Sequence, residues 1–181
     1  MTTGPARRDR ARHTGPVSDA NDPPPVHAGL SAMVGTTDPD VIGSFIAYLG
    51  LELTELTPDR AVATWTVGPR LHQPYGILHG GVHCSVVETL ASLAAAAWVA
   101  GRDPSARVVG VNNNTDFFRA VREGAMPSTA TPLHRGRSQQ LWLVESYADA
   151  DGSLSARGQV RLQNLYRGAE PTGRREALTG S

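Results

Sequence analysis

Lysine is absent from this chain: all seventeen basic residues are arginine. That excludes Schiff-base chemistry on a lysine amine and a phosphate loop built on lysine. Cysteine occurs once, at Cys84, so no intramolecular disulfide can form, and a reducing compartment suits the chain. Net charge is missing as well. Seventeen Asp and Glu cancel the arginines, leaving no overall field to draw in nucleic acid or an anionic membrane. The longest apolar run, Leu90 to Ala100, includes Ser92 and is shorter than the roughly 20 residues that span a bilayer. The N-terminal region has no apolar signal core. Together these absences lead to the expectation of a cytoplasmic protein without nucleic-acid or membrane partners.

What is present suits one folded domain: 181 residues, 40% hydrophobic. Residues 1–38 are rich in Pro, Gly, Arg and Asp and lack periodicity. Too little apolar surface is available there to offset the entropy of ordering, so a disordered, dispensable tail is expected. Residues 168–181 read the same way, which leaves residues 39–167 as the domain. Within it Pro39 to Leu49 has helical spacing, and Leu51 to Leu56 and Arg60 to Val67 alternate as strands. A Gly- and Pro-containing loop leads to an Ala-rich helix from Gly81 to about Ala100. Four strand-like runs follow: Ala106 to Phe118, Ala125 to Leu133, Gln139 to Ala148 and Leu154 to Leu165. A helix apolar on nearly every face must be wrapped by other structure. The expected architecture is therefore α+β, an antiparallel sheet around one long central helix.

Between Leu71 and Gly101 a single side chain carries a formal charge, Glu88. A carboxylate buried without a partner is costly and tends to neutralise. Glu88 is therefore expected either to face a wet cleft and act there, or to serve as a hydrogen-bonded structural residue. Helical spacing places Ser85, Glu88 and Ser92 on one face. At the helix entrance stands His79-Gly80-Gly81, where unpaired N–H groups and the positive dipole end suit a developing oxyanion. A tight loop-to-helix turn would use the same residues. Gln73 adds an amide donor from the same loop. Gln73, His79, Gly80, Glu88 and Ser92 together supply donors, a base and a water ligand, the parts that acyl transfer to water requires. His72, His83 and His134 lack metal-site spacing and read as loop or surface histidines, so no metal is expected. Cys84 and His83 point about 100° apart on a helix, which argues against a thiol–imidazole pair.

The run QPYGILHGGVHCSVVETLAS from Gln73 to Ser92 resembles the active-site segment of hotdog-fold acyl-CoA thioesterases. The likeness continues in VVGVNNNTDFFR at 108–119, PLHRGR at 132–137 and ARGQVR at 156–161. It is greatest to the phenylacetate-type branch, which includes the glutamate-using 4-hydroxybenzoyl-CoA thioesterases and the enterobactin and menaquinone thioesterases. The resemblance implies the hotdog fold and hydrolysis of acyl-CoA or acyl-carrier thioesters without metal or organic cofactor. Glu88 would be general base or nucleophile, and the Gly80 N–H would polarise the carbonyl. Gln73 would position the thioester or the water, His79 would sit near the leaving sulfur, and Ser92 would hold the water. His134, Arg135, Gly136 and Arg137 would lie near the CoA phosphates, where Arg geometry suits phosphate oxygens. Phe117 and Phe118 stand where relatives acting on aromatic substrates often carry His, which implies a more apolar acyl group. The resemblance further implies a homodimer, paired into a tetramer, with each site shared between two chains. Two other readings stand beside this one: a non-catalytic acyl-CoA sensor or scaffold, and a hotdog dehydratase or hydratase.

Overall fold

A computed structural model of the chain describes residues 26–166. Two short helices, α1 (Pro39–Ile42) and α2 (Ser44–Leu49), lead into β1 (Glu52–Leu56), β2 (Ala61–Thr64) and β3 (Thr66–Val67). The long helix α3 (Gly80–Ala100) follows. After it come β4 (Arg107–Phe117), β5 (Gly124–Ala125), β6 (Ser128–Arg135), β7 (Gln139–Ala148) and β8 (Ser153–Leu165). Six strands form one antiparallel sheet in the order β1-β2-β6-β7-β8-β4, and β3 pairs with β5 as a small separate ribbon. The sheet curls around α3, as expected for an α+β hotdog.

By length and composition α3 could cross a membrane, but here the sheet takes up its apolar faces. Val86, Val87, Leu90 and Val99 are fully buried and join Trp142, Val144, Val160 and Leu162 from alternate positions of β7 and β8 in one core. A polar seam fixes the far end of the sheet to the helix. Gln140 Nε2 donates to Asn164 Oδ1 at 2.7 Å and to the Ala95 carbonyl at 3.4 Å, and Trp142 Nε1 donates to Gln140 Oε1 at 2.9 Å. Buried polar groups are tolerated when paired in this way.

β4 lies at the edge of the sheet. It pairs with β8 from Arg107 to Phe117, and among the described residues no strand lies on its other side. Its register shifts between Gly110, opposite Leu162, and Asn112, opposite Arg161, so Val111 is a β-bulge. Side chains along a strand alternate faces, and one extra residue resets the alternation. Gly110 and Asn113, three apart, consequently both face α3, opposite buried Leu162 and Val160.

Several boundaries differ from the sequence expectation. The helix expected over Pro39 to Leu49 breaks at Gly43, whose φ of 85° is left-handed. The strand expected over Arg60 to Val67 breaks at Trp65, whose buried indole turns inward and donates to Ser128 Oγ at 3.0 Å. The Ala125 to Leu133 run divides at Met126-Pro127, and its second part reaches Arg135, so the following turn starts at Gly136. Most consequential is the tail. Val26–Met33 is a 3-10 helix, and Leu30 and Met33, 6% and 7% exposed, belong to the core. Their three-residue spacing matches a 3-10 turn rather than an α-helical one. The last third of the expected tail is therefore structural, and truncation near residue 35 would remove core side chains. Residues 1–25 and 167–181, which carry the remaining tail assignments, lie outside the described residues.

Candidate active site

The start of α3 is shaped by His79. It is the N-cap: its Nδ1 accepts from Gly81 N–H at 2.8 Å, and its carbonyl accepts from Val82 N–H at 2.9 Å. A helix leaves its first N–H groups without intrahelical partners, and His79 occupies two of them. The Gly80 N–H remains, with no acceptor among the described residues. Because Nδ1 is the acceptor, the proton of the neutral ring sits on Nε2. At both positions a side chain would have to displace a neighbour. A Cβ on Gly80 would lie 2.8 Å from Phe117 Cε2, and one on Gly81 would lie 2.9 Å from His79 Nδ1. Gln73 belongs to the preceding loop. Its Oε1 accepts from Tyr75 N–H at 2.5 Å, which leaves the amide NH2 as the outward donor.

Glu88 lies two turns further along, half-buried. Asn113 Nδ2 donates to Glu88 Oε2 at 3.1 Å and to the Cys84 carbonyl at 3.0 Å, while Thr115 Oγ1 donates to Asn113 Oδ1 at 2.7 Å. On the other side Gly110 lies so close that a Cβ there would fall 1.9 Å from Glu88 Oε1. Asn113 and Gly110 were not picked out from the sequence. The signals that could have shown them are a glycine inside a strand and a polar run, Asn112 to Thr115, that breaks the alternation.

The other expected residues fall into separate groups. Ser92, one turn beyond Glu88, lines a mostly apolar cavity of about 420 Å³ with Leu93, Ala96, Val108 and Val109. Through Leu165 this adjoins a recess of about 610 Å³ lined by Arg137. Ser85 is occupied locally, donating to the Gly81 carbonyl at 2.8 Å. Phe117 is half-exposed against Gly80, and Phe118 is half-exposed at the end of the same strand. His134 is exposed, and Gly136 packs against it, where a Cβ would come 2.8 Å from Nε2. Arg135 has a structural partner of its own. Its Nη1 donates to Asp59 Oδ1 at 2.6 Å and to the Pro58 carbonyl at 2.8 Å, and its guanidinium lies over Trp98, so it secures the β1–β2 turn. Arg137 makes no such bond, which leaves it as the available cation of the pair.

His83 departs from expectation. It is 2% exposed, not a surface residue, stacked on Phe117 and edge-on to Trp65. Burial lowers its pKa to about 4, so the ring is neutral, and its Nδ1 has no hydrogen-bond partner. Among the described residues no three His, Cys, Asp or Glu converge closely enough to hold a metal.

Residues 75–155 match the thioesterase superfamily. The proofreading thioesterase EntH of Cronobacter turicensis is 37% identical over 121 residues, covering 67% of this chain and 83% of its own. Protein Rv1847 of Mycobacterium tuberculosis is 54% identical over 121 residues, covering 67% of this chain and 86% of its own. The chain belongs to the thioesterase superfamily. Solved structures agree with this fold. AziG of S. sahachiroi is 52% identical with a TM-score of 0.65, covering 68% of this chain and 98% of that one. Thioesterase HI1161 of Haemophilus influenzae is 29% identical with a TM-score of 0.63, covering 74% and 94%. Thioester hydrolysis is thus the general chemistry that membership of this family supports.

Proposed function

We propose that the protein hydrolyses acyl-CoA thioesters, with Glu88 as general base or nucleophile, in the manner of the glutamate-using phenylacetate-type branch. The observation that carries this reading is the pair of features on α3: an unpartnered N–H at Gly80 and a positioned carboxylate at Glu88. Eight residues of helix separate them, about 12 Å along the axis. A carbonyl group only about 1.2 Å long cannot meet both. One chain therefore holds two half-sites.

The edge strand supplies the way to join them. Gly110 packs on Glu88 and Phe117 packs on Gly80, seven residues apart on β4. A second copy added antiparallel along that open edge, about a two-fold at Asn114, would set Phe117 of one chain opposite Gly110 of the other, because the bulge leaves six ladder steps between them. Paired strands lie about 4.8 Å apart, so the Gly80 N–H of one chain would approach Glu88 of its partner. Exposed Val109 and Val111 on β4 favour such pairing, since a long apolar edge is otherwise a liability. The assembly is a homodimer, with dimers pairing further.

In each shared site the thioester oxygen accepts from the Gly80 N–H at the positive end of α3. The Gln73 amide and the His79 Nε2–H face the carbonyl and the leaving sulfur, and Ser92 holds the water. In the general-base form, Glu88 takes a proton from water as its oxygen adds to the carbonyl carbon. The tetrahedral adduct then breaks its C–S bond to give the free acid, and the sulfur takes up the proton that Glu88 received, leaving as the thiol and restoring the carboxylate. The apolar cavity around Leu93, Val108 and Val109 suits the acyl group, and Arg137 suits a phosphate oxygen. The test is thiol release from a panel of aryl- and alkanoyl-CoA substrates by the wild type and Glu88→Gln. Glu88→Gln is expected to lose at least about a thousandfold in kcat while remaining folded. Near-wild-type turnover by folded Glu88→Gln contradicts the mechanism, and binding without turnover by the wild type favours a sensor.

A further inference from the structure

Resting on the hydrolytic reading of Glu88, we infer that the bulged segment Gly110–Thr115 of β4 is a clamp that makes Oε1 the working oxygen of Glu88, with Asn113 as its positioning residue. The bulge at Val111 is what builds it. Without the extra residue Gly110 and Asn113 would point to opposite faces of the sheet. With it, both reach the same carboxylate, one on each oxygen.

The orientation of the Asn113 amide follows from chemistry. The Cys84 carbonyl can only accept, so the atom 3.0 Å from it must be the NH2 group. The same nitrogen is 3.1 Å from Glu88 Oε2, and its two hydrogens serve these two acceptors. The amide oxygen is held in turn by Thr115 Oγ1 at 2.7 Å. Thr115 has its own space only because residue 158 is glycine: a Cβ there would fall 2.5 Å from Thr115 Oγ1. Four positions on two strands thus converge on one carboxylate.

Oε2 already accepts an N–H, which makes it the less basic of the two oxygens, so a proton taken from water goes preferentially to Oε1. If Glu88 attacks the carbonyl directly, Oε1 is likewise the oxygen that forms the bond. Gly110 leaves Oε1 unobstructed by any side chain of its own strand, at the open edge where a partner chain would bring the thioester. The clamp also keeps the carboxylate from rotating through its alternative rotamers, so its orientation is set before substrate arrives.

The experiment compares kcat, KM and Tm for the wild type, Asn113→Leu, Asn113→Asp, Gly110→Ala and Glu88→Gln with one acyl-CoA. Asn113→Leu keeps the side chain's size and removes the donor. It is expected to lower kcat on the order of a hundredfold, with KM and Tm close to wild type. Asn113→Asp, which sets a second carboxylate against Glu88, should lose more. Gly110→Ala should be as inactive as Glu88→Gln, because its methyl occupies the place of Oε1. An Asn113→Leu enzyme with wild-type kcat, beside an inactive Glu88→Gln, overturns the clamp and leaves the hydrolytic reading standing. A parallel fall in kcat and Tm for Asn113→Leu, with KM raised, shows a packing residue and also overturns it. An active Glu88→Gln removes both.

Discussion

The first turn of α3 and its middle present their candidate catalytic groups in opposite ways. At the first turn the backbone supplies the group, and the side chains around it act by occupying its neighbours: His79 caps Gly81 and Val82 and leaves Gly80 N–H open. In the middle a side chain supplies the group, and a separate strand fixes it, with Asn113 on one carboxylate oxygen and Gly110 beside the other. Glycine appears in both places for the same reason, close approach to a functional atom. The donor is built from contiguous residues, whereas the acid depends on pairing between α3 and β4. Damage to the start should therefore be local, and damage to the middle should follow the register of the sheet.

Loss of the Glu88 carboxylate is the largest effect expected from this contrast, followed by disruption of the clamp. A smaller effect should come from the start. Gly81→Ala puts a methyl 2.9 Å from His79 Nδ1 and displaces the cap. Losing such a cap costs about 1 kcal/mol, and kcat/KM should fall about tenfold as His79 and the Gly80 N–H lose their alignment. Steady-state kinetics with a melting curve checks this. Unchanged kcat/KM in Gly81→Ala means that the cap has no part in positioning the donor.

The smallest effect on catalysis belongs to neither group, because it acts through stability alone. His83 is held neutral, with its pKa lowered to about 4 by burial. Above the usual His value near 6.5 it is neutral in both folded and unfolded states. As pH falls from 6.5 toward 4 the unfolded chain takes a proton that the folded chain refuses, so stability is lost across that window, by up to about 3 kcal/mol. Denaturant titrations at several pH values should show this slope in the wild type and a shallower one in His83→Leu. Equal slopes in the two proteins would assign the acid sensitivity to other groups.

The same contrast explains how much was legible in the sequence. The donor end was readable because Gln73, His79 and Gly80 lie within eight residues before a helix whose apolar length is plain. Glu88 was readable because it is the one charge in its region. Its partners were not, because a bulge at Val111 leaves no mark in periodicity and Asn113 lies 25 residues away. The burial of His83 was hidden by the helix itself, which is apolar all round and gives no sign of which histidine faces inward. The structural contact of Arg135 was hidden for a related reason. Its partner Asp59 is 76 residues distant, across the hairpin formed by β1 and β2. Leu30 and Met33 escaped because their spacing is that of a 3-10 turn inside a segment whose composition suggests a solvated tail.

In the proposed enzyme each chain carries two half-sites, and a complete site needs two chains. The most direct measurement mixes two inactive variants, Glu88→Ala and Gly80→Pro, after dissociation and reassociation, and follows thiol release. Proline is tolerated at the first helical position and removes the N–H, although the Phe117 ring, 2.8 Å from the Cβ position, must shift. In a mixed dimer one site joins both defects, and the other joins an intact Gly80 N–H to an intact Glu88. At equal mixing about half of the dimers should be mixed, each with one working site, so activity should return to roughly a quarter of the wild-type value. No recovery despite demonstrated subunit exchange, with both variants folded, would mean that each chain builds its own site and would contradict the account.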